Sequence, residues 1–147
     1  MITFCIEPIT DDLPLPTLRM AEAAWVEIEE FRLQPQEIFV NGVLESLEDG
    51  SVQYVLRSHG QIVACAVVTT EYDMHVGYCR SIQWNYCLPN YRDLNWMARV
   101  LRQLKSEAGA LPIAYTHRVG ARKYILKYTY SKTLVEELPW VRRPENV

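Results

Sequence analysis

The segment from Tyr78 to Ala108, YCRSIQWNYCLPNYRDLNWMARVLRQLKSEA, constrains the fold more than any other, because an alternating strand runs through a short polar turn straight into an amphipathic helix. In the strand, Ile82, Trp84, Tyr86 and Leu88 are expected on one face and Ser81, Gln83, Asn85 and Cys87 on the other. In the helix, Leu94, Met97, Leu101 and Leu104 recur at helical spacing, with Arg99, Arg102 and Lys105 off that stripe. A strand that feeds a helix in this way aims the helix N-terminus, with its unpaired N–H groups, at whatever lies beyond the strand end, and that is a common place to hold a phosphate.

The rest of the chain supplies elements in a recognisable order. An opening strand over Ile2 to Ile9 ends at Thr10-Asp11-Asp12, a polar break that can cap a helix. Pro14 and Pro16 lead into a helix from Thr17 to about Arg32, with Leu18, Ala21, Trp25, Ile28 and Phe31 on one face. Pro35 opens a second helix to about Glu48, striped by Phe39, Val43, Leu44 and Leu47 and ended by Asp49-Gly50. Val52 to Arg57 and Gln61 to Thr70 read as a hairpin about Ser58-His59-Gly60, and the continuously apolar Ile62 to Val68 as a strand covered on both faces. After the long helix, ended by Ala108-Gly109-Ala110, come a short strand at Ile113 to Thr116, a short helix within Gly120 to Tyr128, and a strand at Thr129 to Leu134. The expected order is βααβββαβαβ, an α+β class, because three consecutive strands sit between helices.

A chain of 147 residues, half of them apolar, builds one domain, 1–147, with one buried core. No run approaches the roughly 20 apolar residues that cross a bilayer. The N-terminus lacks the blocks of a signal peptide, so the expected location is the cytoplasm or the inside of an assembly. Cys5, Cys65, Cys79 and Cys87 are scattered through apolar segments and read as buried thiols. His75, Cys79 and Cys87 lack a fourth ligand at usable spacing, so no metal is expected. The net charge of −3 hides a division: residues 1–77 carry 3 Lys and Arg against 13 Asp and Glu, residues 78–147 carry 12 against 5. A basic second half can face an anion, or merely pair with the acidic half across the fold. Arg122-Lys123-Tyr124 and Lys127-Tyr128-Thr129-Tyr130 interleave basic and aromatic residues as a nucleic-acid platform does, but the acidic first half opposes general phosphate affinity and ranks that reading last.

The element order, with Gly60-Gln61-Ile62-Val63-Ala64 after a hairpin and Leu88-Pro89-Asn90-Tyr91-Arg92 before a helix, resembles the GNAT family of N-acetyltransferases. The resemblance spans most of the chain in layout and about forty residues in motif. It implies a mixed, mostly antiparallel central sheet with helices on both faces, splayed between its fourth and fifth strands to admit acetyl-coenzyme A. The family signature (Arg or Gln, two residues, Gly, one residue, Gly or Ala) falls on Arg92-Asp93-Leu94-Asn95-Trp96-Met97. Asn95 and Met97 thus stand where the family has small residues that let backbone N–H groups approach a pyrophosphate. Asn is the best non-glycine choice for an unusual backbone angle, while Met97 suits a core position. The opposing reading of this turn makes Asn90 a helix cap, with Asp93 adding charge to the first turn.

By the same resemblance, backbone N–H groups within Asn85 to Leu88 polarise the thioester carbonyl, so Cys87 and Leu88 join the cofactor-binding residues. Tyr124 is the candidate acid, Tyr128 the second choice; each is also a plausible packing residue. Arg118, Arg122 and Lys123 would meet the outer phosphate. Glu71, Asp73 and His75 are the nearest candidates for a base acting through water. The implied function is acetyl-coenzyme A-dependent acetylation of an amine, on a small molecule or a protein. The alternative is a GNAT-like scaffold that has lost the cofactor and serves an assembly; the Val119-Gly120 and Ile125-Leu126-Lys127 runs resemble GNAT-like proteins of tailed phages, some of them virion proteins. Neither the acceptor nor the oligomeric state, a homo-oligomer included, is legible here.

Overall fold

The structure, a computed structural model, describes residues 1–9, 14–47, 50–107, 109, 111–120 and 123–130. Strands β1 (Ile2–Pro8), β2 (Val52–Ser58), β3 (Gln61–Asp73), β4 (Gly77–Cys87), β5 (Ile113–Gly120) and β6 (Lys123–Thr129) form one sheet in that spatial order. Every neighbouring pair is antiparallel except β4 and β5, which are parallel. Helices α1 (Leu15–Glu27), α2 (Gln36–Glu45) and α3 (Trp96–Glu107) complete the regular elements, with 3₁₀ turns at Glu29–Leu33 and Pro89–Leu94.

The expected class, α+β with a mostly antiparallel sheet and helices on both faces, is what the chain adopts. On one face α3 lays Trp96, Val100 and Leu104 over Tyr54, Leu56, Ala64, Ala66, Val68, Ile82 and Ile113. The opposite face is covered by α1, whose Met20 and Ala24 pack on Val55, Cys65 and Tyr86. α2 rests on α1 through Ala21, Phe39 and Val40, with the Phe31 and Phe39 rings stacked 4.4 Å apart. The apolar run in β3 is covered on both sides: Ala64 through Val68 are fully buried. His59 and Gly60, both at positive φ (50° and 81°), close the β2–β3 hairpin in two residues.

Three expectations are corrected. The first helix stops at Glu27, because Ile28 takes an extended conformation (φ −91°, ψ 115°), and its N-terminus has no side-chain cap of its own. Instead Gln53 of β2 accepts the Thr17 backbone N–H at 3.0 Å and the Thr17 hydroxyl at 2.6 Å, all buried, so a tertiary contact fixes where α1 begins. The Thr10-Asp11-Asp12 cap lies outside the described residues.

The alternation in β4 is broken. Val68 pairs with Ile82 but Val67 with Trp84, so Gln83 is an inserted bulge residue and the side-chain parity flips beyond it. Ile82 faces α3, whereas Trp84 and Tyr86 face α1 and Cys87 faces α3. The α3 stripe is shifted as well: the helix starts at Trp96, so Trp96, Val100 and Leu104 are buried, Met97 and Leu101 only partly, and Leu94 belongs to the 3₁₀ turn before it.

The short helix expected within Gly120 to Tyr128 is a strand. β5 runs on to Gly120 and β6 returns along it, from Gly120 opposite Lys123 to Ile113 opposite Thr129. Tyr124, Ile125 and Tyr128 favour a pleated ladder, and β5 offers that ladder a free edge. The observed order among the described residues is therefore βααβββαββ. Of the strand expected at Thr129 to Leu134, Thr129 closes β6 and residues 131–134 lie outside the described residues.

Candidate cofactor cleft

The sheet opens between β4 and β5. Only Arg80 with Ile113 and Ser81 with Ala114 pair across these two strands, whereas β4 continues to Cys87 and β5 to Gly120. From Ile82 onward the β4 edge that would face β5 has no strand on it among the described residues. At the top of that opening the chain turns through Pro89–Leu94 into α3. The result is an open cleft of about 310 Å³ lined by Asn85, Tyr86, Cys87, Arg92, Asn95, Trp96 and Met97.

Asn95 makes the turn possible. It sits in the left-handed region (φ 55°, ψ 59°), its N–H bonded to the Arg92 carbonyl at 3.2 Å, and its own carbonyl accepts the Arg99 N–H at 3.2 Å as the first bond of α3. The N–H groups of Trp96, Met97 and Ala98, in the first turn, therefore precede any intrahelical partner and give the cleft end a positive character. Asn90, inside the 3₁₀ turn, does not cap α3; this corrects that reading of the turn.

Three solved structures share this architecture. An acyl-CoA N-acyltransferase from Pseudomonas aeruginosa superposes with a TM-score of 0.56 at 13% identity, covering 81% of this chain and 79% of that one. The aminoglycoside 6'-N-acetyltransferase AAC(6')-Ih from Acinetobacter baumannii gives 0.51 at 16% identity over 82% and 83%. The aminoglycoside N-acetyltransferase AAC(6')-Iy in complex with CoA gives 0.52 at 12% identity over 81% and 80%. This chain has the GNAT fold. No protein-family model and no curated protein matches its sequence.

On the GNAT fold the expected site residues divide into two groups. Cys87, Arg92, Asn95, Trp96 and Met97 come together in the cleft. Leu88 packs at the junction of the two sheet-face clusters, Leu94 packs on the α3 side, and Asp93 is exposed. Met97 both lines the cleft and packs against the core. Burial pushes the Cys87 thiol up from its ordinary value, so it stands in the cleft as a neutral thiol.

The described residues among the remainder are not brought to the cleft. Lys123 and Tyr124 are exposed on β6, beyond β5 from the cleft, and Arg122 lies outside the described residues. Tyr128 is opposite Ala114, at the closed base of the opening, where its hydroxyl donates to Asp73 at 2.8 Å. That bond is the main cause of its rise to about 12. Asp73 also accepts the His75 backbone N–H at 2.7 Å, which with Tyr128 holds its carboxyl below the usual range. Glu71, Asp73 and His75 belong to the β3–β4 hairpin end, about 25 Å along β4 from Asn85 at the strand rise.

Glu27 is a residue of the site that sequence reasoning missed. Its Oε1 accepts the Tyr86 hydroxyl at 2.9 Å and the Arg92 guanidinium at 2.5 Å. Burial first, and then this donation, push the Tyr86 hydroxyl up to about 12. No local sequence signal marks Glu27, since its position depends on where α1 stops and on the β4 bulge that turns Tyr86 toward α1.

Proposed function

We propose that the chain is an acetyl-coenzyme A-dependent N-acetyltransferase acting on an amine. The observation that carries this reading is that the unpaired β4 edge and the N-terminus of α3 open onto one cleft. The residues present fit the cofactor: Asn95 holds the left-handed backbone without glycine, and a first-turn set of N–H groups follows it. The N–H groups of Trp96, Met97 and Ala98 would hold the pyrophosphate, and the Asn85–Cys87 edge would hold the acyl carbonyl. When bound, the cofactor supplies an activated acyl thioester.

The chain's own part is to orient and to polarise. A backbone N–H on the β4 edge, fixed by the β3 ladder on its other side, is preorganised for the oxyanion that forms as the amine attacks. Among the described residues the cleft lining holds no carboxylate or imidazole, so the amine's proton would pass to the water that reaches the open cleft, and water would supply one to the thiolate released as the C–S bond breaks. That two of the structural neighbours are aminoglycoside acetyltransferases supports an amine acceptor as the reaction class.

Calorimetry of the full-length chain with acetyl-coenzyme A tests this. Saturable binding is expected, followed by acetyl transfer when a panel of primary amines is supplied; no binding at high micromolar cofactor overturns the reading. A second reading, a scaffold that binds no cofactor, is favoured by the two larger side chains, Asn95 and Met97, in the lining and by the engagement of Arg92 with Glu27. The same titration on Asn95→Gly/Met97→Gly separates the two: a silent wild type with binding gained in the double variant supports the scaffold.

A further inference from the structure

Glu27, the last residue of α1, reaches two of the residues that line the cleft. The Arg92 guanidinium donates Nη2 to Glu27 at 2.5 Å and Nε to the Cys87 carbonyl at 3.2 Å, and it lies 5.6 Å above the Tyr86 ring. Three contacts therefore hold it along the end of β4. Arg92 is also the one charged side chain in the lining among the described residues. An anion entering the cleft meets the positive end of α3 beside a cation that a carboxylate already neutralises.

We propose that Glu27 sets the affinity of the cleft for anions, by competing with the ligand for Arg92. The proposal rests on the acyltransferase reading for the ligand's identity, a coenzyme A thioester with its pyrophosphate. The Arg92 and Glu27 side chains are 50% and 31% exposed, so the pair is in reach of water and opens at modest cost. Tyr86 lowers that cost, because its hydroxyl continues to donate to Glu27 after the guanidinium leaves. A multiply charged phosphate outbids a single carboxylate for the guanidinium, whereas a monoanion gains little by the exchange. The arrangement thus admits phosphorylated ligands and discriminates against simple carboxylates.

The test is calorimetry with acetyl-coenzyme A on four full-length proteins: wild type, Glu27→Gln, Arg92→Gln and the double variant. Gln keeps the size of Glu and still accepts the Tyr86 hydroxyl, and thermal unfolding verifies that each variant is folded. Glu27→Gln is expected to bind about two- to fivefold tighter, the range of an exposed pair released. Arg92→Gln is expected to bind no tighter than wild type, and the double variant to match Arg92→Gln, since nothing is left to release. A merely structural role for Glu27 would weaken binding on substitution and would not depend on Arg92. If wild type binds and Glu27→Gln binds equally or more weakly, the proposal is overturned while the acyltransferase reading stands. A gain that persists undiminished in the double variant also overturns it. No binding by any of the four overturns both.

Discussion

Asn95 does with a polar side chain what the family signature does with glycine. A left-handed backbone costs an ordinary L-residue about 1–2 kcal/mol, and Asn is among the few that offset it by local hydrogen bonding. Replacing Asn95 by Ala is therefore expected to destabilise the chain by about 1–2 kcal/mol in urea unfolding, while Asn95→Gly stays close to wild type. Equal stability of Asn95→Ala and wild type would mean that the turn relaxes without that conformation. This residue was legible in the sequence, because Asn in a glycine position announces an unusual angle. Tyr128 was not, since its partner Asp73 lies 55 positions away in the chain. Glu27 carries no local signal at all, and the contacts that give it meaning are tertiary.

The elements show why patterns mislead at particular points. Apolar periodicity placed β1 to β4 and all three helices within a few residues, because each buries one face or two against the sheet. It failed where one inserted residue changed the parity of β4, and it could not foresee that α1 would take its N-terminal hydrogen bond from Gln53. At β6 the spacing of Tyr124, Ile125 and Tyr128 suits helix or strand, and the β5 edge decides it. The bulge gives an element-scale prediction. Deleting Gln83 would make Trp84 follow Ile82 directly, closing the ladder without a bulge while Trp84 and Tyr86 keep their β3 partners and the α1 face. Only the local bend and twist are lost, so the expected cost is about 1–3 kcal/mol with a cooperative thermal transition retained. A deletion variant that loses its cooperative transition would contradict this register, since it would mean that Trp84 and Tyr86 had left the α1 face.

For the molecule as a whole, the class followed from the order of elements, and the sheet with helices on both faces and the position of the cleft followed from the family resemblance that this order carries. The contents of the cleft followed only in part: Arg92, Asn95, Trp96 and Met97 converge there, while the tyrosines and the acidic hairpin end are placed elsewhere by the β5–β6 pairing. The charge division acquires a location too, because Arg92 from the basic half meets Glu27 from the acidic half at the cleft itself. The central claim is that the β4 edge, free of any strand among the described residues, and the start of α3 form one ligand site. Amide hydrogen exchange of the full-length chain, with and without saturating acetyl-coenzyme A, tests it most directly. Protection confined mainly to the segments spanning Asn85–Cys87 and Trp96–Ala98 is the predicted result; unchanged exchange there, with protection on another surface or nowhere, would contradict it.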